Sequence, residues 1–324
     1  MAANNLVNLQ RFSSFAYTGL TEIEKQQVEL FNTATRGALV LRSGDNQGDY
    51  SDTVRYGTIA SLVRRRDAYS SGAVVAKDIA HVLETSVKVA GAAGPVTIDS
   101  HFFTWIQRAP EEAGAFLGQQ LAIASMQDKL NTALTALYAA LAQQSTANTY
   151  DYTGTGDVCL AAMNTAASKF GDRASDIACW VMHSKSRHDM IGQAITNTGT
   201  LFSFGNINVT SDGLGRPIIV TDSSALTYTS SGTKYRTLGL VTGAAVVEDN
   251  PIDLRVNTVT SNGDENIGDS WQAQWTFNLG LRGFKWDKTN GGASPSAAAL
   301  ATGTNWDKSA TSVKDTAGVL ILST

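Results

Sequence analysis

Charge is what this 324-residue chain has least of: only 17% of its residues are Asp, Glu, Lys or Arg, against roughly a quarter in an ordinary soluble protein. So charge-poor a surface suits a molecule that other protein covers. The balance is slightly acidic, with a formal net charge of -4, which argues against a broad nucleic-acid-binding face. Cysteine is almost absent. Cys159 and Cys179 are the two present, and without a C-x-x-C pair they exclude a disulfide scaffold and a cysteine-based zinc site, reading instead as buried thiols of a reducing compartment. No apolar run approaches the roughly 20 residues needed to cross a bilayer. The opening "MAANNLVNLQRFSS" has no basic segment leading into an apolar one, so no secretory signal is expected. Synthesis and use in a cytoplasm, away from membranes, is the expectation.

The motifs of common chemistries are missing as well. There is no G-x-x-x-x-G-K-[ST] phosphate loop, no G-x-S-x-G elbow and no H-E-x-x-H. "SDGLGRP" places Gly213 and Gly215 in a turn rather than a dinucleotide site. His183 and His188, five apart, do not share a helical face, and with Cys179 they match no usual ligand spacing. Glu111-Glu112 is explained by a helix start, and Glu248-Asp249 precedes a turn at Asn250-Pro251. No catalytic residue, metal or cofactor is expected. Arg64-Arg65-Arg66 is the one basic run. It reads either as a solvated turn or as a docking element for an acidic patch on another protein.

What is present is a set of long, regular elements. "TEIEKQQVELFNTATRG" carries an apparent capping box, Thr21 with Glu24, ahead of Ile23, Leu30, Phe31 and Ala34, and Gly37 can end that helix. From Asp49 the chain becomes β-like. Val54, Tyr56, Thr58, Ala60 and Leu62 alternate toward "RRRDAYSSG", and Leu83, Thr85, Val87 and Val89 alternate on the way back. Such an excursion with so little apolar bulk at its tip is not stable alone and must lie on something else. "APEEAGAFLGQQLAIASMQDKLNTALTALYAALAQQ" predicts one helix of about 50 Å, with Ile123, Met126, Leu130, Leu134, Leu137 and Leu141 on one stripe. Helix and strand then alternate compactly from Asp157 to Asn250. Finally Ile252, Leu254 and Val256 face the long alternation Trp271 to Leu281 across an Asn262-Gly263 turn, predicting a long hairpin. One apolar helical stripe over one apolar sheet face would bury both, with Leu134 in the seam.

In this order the chain resembles the major capsid proteins of tailed bacteriophages (Caudoviricetes). "WVMHSKSRHDM" is similar to that family's strand and turn into an axial-domain helix, "GRPIIVTDSSAL" and "GLVTGAAVV" to its inner strands, and "WTFNLGLRGFKW" to its closing strand. "SPSAAALATGTNW" resembles the segment that follows in one branch. The resemblance implies an α+β fold of the tailed-phage capsid type. Its parts would be an N-terminal arm (1–48), an extended β-loop (49–80), a peripheral domain with a spine helix (81–147), a compact axial domain (148–250), a return hairpin (251–290) and a C-terminal segment (291–324). It implies a coat protein whose copies form hexamers and pentamers of an icosahedral head around double-stranded DNA, in the virion after assembly in the bacterial cytoplasm. Portal and separate scaffolding or cement proteins are the implied partners.

On that reading Arg64, Arg65 and Arg66 sit at a loop tip and meet acids of a neighbouring copy, with Asp264, Glu265 and Asp269 as candidates. Trp-Asp-Lys occurs twice, at Trp286 and Trp306. The expectation is that Trp286 caps the long strand and Trp306 anchors the tail, with no functional repeat. The competing reading is a cytoplasmic oligomeric α/β enzyme without a recognisable motif.

Overall fold

A computed structural model describes residues 2–45, 47–56, 63–76, 81–144, 146–196, 215–261 and 268–324. The chain opens with a 33-residue helix, α1 (Ala2–Ala34), which takes in the helix expected from Thr21 and begins well before it. Phe12, Ala16 and Leu20, at spacings of four, are fully buried along it. The apparent capping box lies inside this helix. The Thr21 hydroxyl donates to the Thr18 carbonyl at 3.0 Å, and Glu24 turns toward another element. So polar a stretch becomes helical because a partner covers its thin apolar edge, a tertiary effect that local propensity does not carry. Gly37, at φ 69°, ends the turn, its N–H donating to the Asn32 carbonyl at 2.9 Å.

β1 (Leu39–Ser43), β2 (Tyr50–Tyr56) and β3 (His81–Ile98) follow. β2 runs antiparallel to β3, from Tyr50 opposite Val87 to Tyr56 opposite His81. The alternation expected from Thr58 through Leu62 falls outside the described residues. α2 (Ser100–Arg108) is capped by Asp99, which accepts from the Phe102 N–H at 2.6 Å.

α3 (Pro110–Gln143) is the long helix, with Pro110 in its first turn and Glu111 and Glu112 near its positive end. Its buried face differs from the expected stripe. Leu134, Leu137 and Leu141 are fully buried, but Ile123 is 42% exposed, and Met126 and Leu130 are half-buried. Over the first half the buried positions after Pro110 are Ala113, Gly114, Leu117, Gly118, Leu121, Ala122 and Ser125. These small residues admit a helix at close range. A Cβ on Gly118 would stand 2.5 Å from the Ala16 carbonyl oxygen, and one on Gly114 2.7 Å from that of Phe12. α1 is therefore the seat of this half of α3, and only farther along does the leucine stripe take over.

The rest of the chain runs β4 (Thr149–Asp151), α4 (Leu160–Ala167), β5 (Ile177–Met182), α5 (Ser184–Thr196), β6 (Ile218–Val220), β7 (Thr227–Thr229), β8 (Thr233–Val241), β9 (Ala245–Asp249), β10 (Arg255–Ser261), β11 (Gly268–Leu281), β12 (Phe284–Trp286), α6 (Ala297–Leu300), β13 (Trp306–Lys308) and β14 (Gly318–Ser323). Among the described residues the long strands make two six-stranded sheets. One has the order β1-β9-β11-β3-β2 with β10 beside β11, the other β4-β14-β8-β5-β6 with β7 beside β8. The chain passes between them at Thr242 and Gly243, so β8 and β9 belong to different sheets although they are consecutive.

The expected hairpin is shorter than its alternation suggested. β10 pairs with β11 from Arg255 opposite Gln274 to Ser261 opposite Gly268, and the second half of β11 pairs with β9 instead. Ile252 is 67% exposed in the turn before β10, and Asn262-Gly263 lies outside the described residues. β11 is thereby a central strand, with β3 along its other edge.

The two Trp-Asp-Lys copies prove to be a pair. β12 and β13 are antiparallel, with Trp286 opposite Trp306 and Lys285 opposite Asp307. The indoles meet edge to face, centroids 4.8 Å apart. Each indole N–H donates to a carbonyl six residues away, Trp286 to Gly292 at 2.9 Å and Trp306 to Leu300 at 3.1 Å. The duplication thus has a structural meaning, a paired indole contact between two short strands. The tail then supplies β14, whose Val319, Leu320 and Ile321 are fully buried between β8 and β4.

Candidate assembly surfaces

Between the arms of β2 and β3 the chain leaves the body of the protein. Every residue from 63 to 76 is exposed, including Val63 at 89%, Tyr69 at 99% and Val75 at 90%. Arg64, Arg65 and Arg66 lie here, each open to solvent. Among the described residues the hydrogen bonds of this segment are local turns. The Tyr69 N–H donates to Asp67 Oδ1 at 3.0 Å and the Gly72 N–H to Ser70 Oγ at 3.2 Å. Three valines, a tyrosine and three guanidinium groups thus stand together without a core. Of the acids the sequence offered as their partners, Asp264 and Glu265 lie outside the described residues. Asp269 is described, and its Oδ1 accepts from the Thr260 hydroxyl at 2.5 Å. Leu134, Trp286 and Trp306 are all buried.

One face of the first sheet is polar and carries a recess. The recess, of about 340 Å³, is lined by residues that include Arg42, Arg55, Glu84, Glu248 and Asn278. Four of the charges are paired, Arg42 with Glu248 and Arg55 with Glu84 at 3.3 Å.

Two charged clusters lie under the helices, and sequence reasoning passed over both. Lys129, 3% exposed, stands in the middle of α3. Its Nζ lies 2.9 Å from Glu24 Oε1 on α1 and 3.1 Å from Asp249 Oδ1 on β9. Ser125 donates to the same Glu24 oxygen at 2.5 Å. One ammonium joins three elements. Burial pushes the Asp249 carboxyl above its ordinary range, with Lys129 opposing that and Glu24 adding to it. The neighbouring Asp128 faces β11, where the Trp275 indole N–H donates to Oδ2 at 3.4 Å. Its pKa is raised too, by burial, against that hydrogen bond. The indole lies against Gly91 of β3, where a Cβ would come within 2.4 Å of Nε1. The legible signal was that Asp128 and Lys129 are the sole charges on α3 beyond its first turn.

The residues weighed for chemistry do not converge. His183 is 3.5 Å from the exposed Asp222, and Cys179 is fully buried with its thiol pushed up to about 12 by burial. Cys159 caps α4, accepting from the Ala162 N–H. Among the described residues no group of three His, Cys, Asp or Glu side chains could hold a metal ion, and no helix is long and apolar enough to cross a membrane.

The family model described as major capsid protein 13-like (Gp13-like) matches residues 8–320. Among solved structures, a chain from Mycobacterium phage Adephagia is similar over 90% of this chain and 89% of its own, at 12% identity and a TM-score of 0.48. The Cyanophage Pam1 capsid asymmetric unit gives 88% and 88% coverage, 11% identity and 0.49. The asymmetric unit of the bacteriophage PhiM1 mature capsid gives 76% and 83%, 14% and 0.45. No curated protein matches the sequence.

Proposed function

Since the chain belongs to the major capsid protein 13-like family and is a phage coat protein, we propose that its copies close into a shell by laying residues 63–76 on a neighbouring copy. The observation that carries this is the complete exposure of that segment, valines and tyrosine included. Apolar side chains gain by leaving water, and the described residues of this chain offer them no cover. Arg64, Arg65 and Arg66 then steer and orient the contact by meeting acids on the neighbour, for which Asp264, Glu265 and Asp269 are candidates. A patch on one copy that fits a different patch on the next makes a heterologous contact, which closes into rings when the rotation allows. Hexamers and pentamers of an icosahedral head follow, with the β-loop, spine helix and axial unit as the working parts.

The role is structural rather than catalytic. The finished particle holds double-stranded DNA without reading its sequence, and portal, scaffolding or cement proteins complete an assembly built in the host cytoplasm. Analytical sedimentation of the purified chain, with electron microscopy of the same sample, is the test. Rings or closed shells are expected, and a species of 34.3 kDa at every concentration would refute the proposal.

A further inference from the structure

Beside α3, on the helix-covered side of the first sheet, lies a second recess of about 340 Å³. Gly91, Ala93, Ala124, Thr132, Trp275 and Ser296 line it, and Asp128 is its one charged lining residue. The walls are short because β3 runs Val89-Ala-Gly-Ala-Ala93 here, leaving a trough where longer side chains would have filled the space. The bond from the Trp275 indole occupies Oδ2 of Asp128. Its neighbour Lys129 is turned to the other side, bound to Glu24 and Asp249. Among the described residues no cation forms an ion pair with Asp128.

We propose that this recess receives an arginine from the exposed run Arg64–Arg66 of a second copy. The inference rests on the loop-docking reading above and names the anchor on the receiving copy. A small-walled trough ending in a carboxylate fits an arginine better than other side chains. The aliphatic stem lies along alanine, glycine and the indole, and the planar guanidinium reaches the carboxylate with two parallel N–H groups. Lysine would bring a more strongly hydrated charge. Among the described residues, a half-buried acid without a paired cation stands on one side, and a set of exposed cations without a paired acid on the other. The match of charge and shape selects the occupant, a second copy of this chain. An arginine there would also oppose the effect of burial that holds the Asp128 carboxyl above its ordinary range, since an adjacent cation favours the ionised form.

The test separates the anchor from the loop. Asp128→Asn keeps size and keeps an acceptor for the Trp275 N–H, so the chain should melt at or above the wild-type temperature. Particle yield should fall at least about tenfold, as when one partner of a desolvated charge pair is removed. The charge swap supplies the second arm. Asp128→Arg alone should not assemble, and combining it with Arg64→Glu, Arg65→Glu and Arg66→Glu should restore particles. Full yield from the folded Asp128→Asn chain would overturn the inference and leave the coat function standing. So would a loss of assembly confined to a variant carrying Asp264→Asn, Glu265→Gln and Asp269→Asn, which would place the arginines on that stretch instead. A swap that folds but fails to rescue would count against the pairing as well.

Discussion

The α1–α3 seam and residues 63–76 treat apolar and charged side chains in opposite ways. In the seam, glycine and alanine bring two helices into backbone contact, and even the charges of Glu24 and Lys129 are taken inside and paired. In the segment, valine, tyrosine and arginine alike stay in water. The seam is finished within one chain, whereas the segment is left open by the described residues and is, on our proposal, finished by another copy. Stability and assembly are therefore written in separate places, and a substitution should disturb one with little effect on the other.

The largest effect should come from the seam of the long helix. Leu134 is fully buried, and Leu134→Asp would put an unpaired charge there, costing at least about 4 kcal/mol. The variant should be insoluble, or should lose its cooperative melting transition. Normal soluble particles from it would show that the buried face of α3 is not what holds the chain together.

Removing one charge from the junction comes next. Lys129→Met keeps the volume but leaves Glu24 and Asp249 facing each other without their cation, a loss of about 3–5 kcal/mol for a broken buried pair. Restoring neutrality with Glu24→Gln and Asp249→Asn in the same chain should recover much of it. Thermal unfolding of the single and triple variants makes the comparison. If the single variant melts as the wild type does, the junction is a contact without energetic weight.

What the sequence made legible follows from where periodicity is local. α3, β3 and β11 announce themselves because their own residues alternate or recur with the right spacing. The first half of α1 did not, since its apolar edge is thin and it is seated on Gly114 and Gly118, about a hundred residues away in the sequence. The extent of the hairpin was misjudged for a related reason. An alternating strand such as β11 shows that it has two faces, but not that β10 lies beside its first half and β9 beside its second. The pairing of Trp286 with Trp306 was visible as a repeat and opaque as a contact. The acidic and basic members of the candidate surface fared differently again. A triple arginine is conspicuous, whereas a single Asp128 in a long helix becomes interesting only once the short side chains opposite it are seen to leave a recess.

Acidity offers a finer probe of the body of the protein. Asp52 accepts from the Thr85 hydroxyl at 2.7 Å and from Lys288 at 2.9 Å, which hold its carboxyl below the ordinary 3.8. A depressed carboxylate contributes stability that is present above the ordinary value and lost as the pH falls through the folded one. Asp249 acts in the opposite sense. Its raised pKa means that the folded state keeps the proton longer, so its contribution is present at low pH and is lost as the pH rises from 3.8 to the folded value. Asp52→Asn should therefore lower the melting temperature near neutral pH and flatten its fall in acid. Asp249→Asn should steepen that fall. Since the Asp52 side chain is 40% exposed, its share is under about 1 kcal/mol. Parallel melting curves for Asp52→Asn and wild type from neutral pH to pH 3 would remove Asp52 from the acid response.

The smallest effect on folding should come from the segment itself, and it is the sharpest test of the comparison. Arg64→Glu, Arg65→Glu and Arg66→Glu together change the charge by six units at positions fully open to solvent, where substitutions usually move stability by no more than about 0.5 kcal/mol. Circular dichroism and melting should match the wild type. Assembly should not. Each exposed pair across a contact contributes only about 0.2–1 kcal/mol, but a shell repeats the contact in every copy, and each copy is held at several places at once, so small losses multiply. Raising the salt should weaken wild-type assembly in the same direction, because screening acts on exposed pairs first. Native spectra with lost particles would separate assembly from stability within one polypeptide. Native spectra with a full particle yield would return the three arginines to a solvated turn, and the apolar members of the segment, Val63, Tyr69, Val74 and Val75, would then have to carry the docking alone.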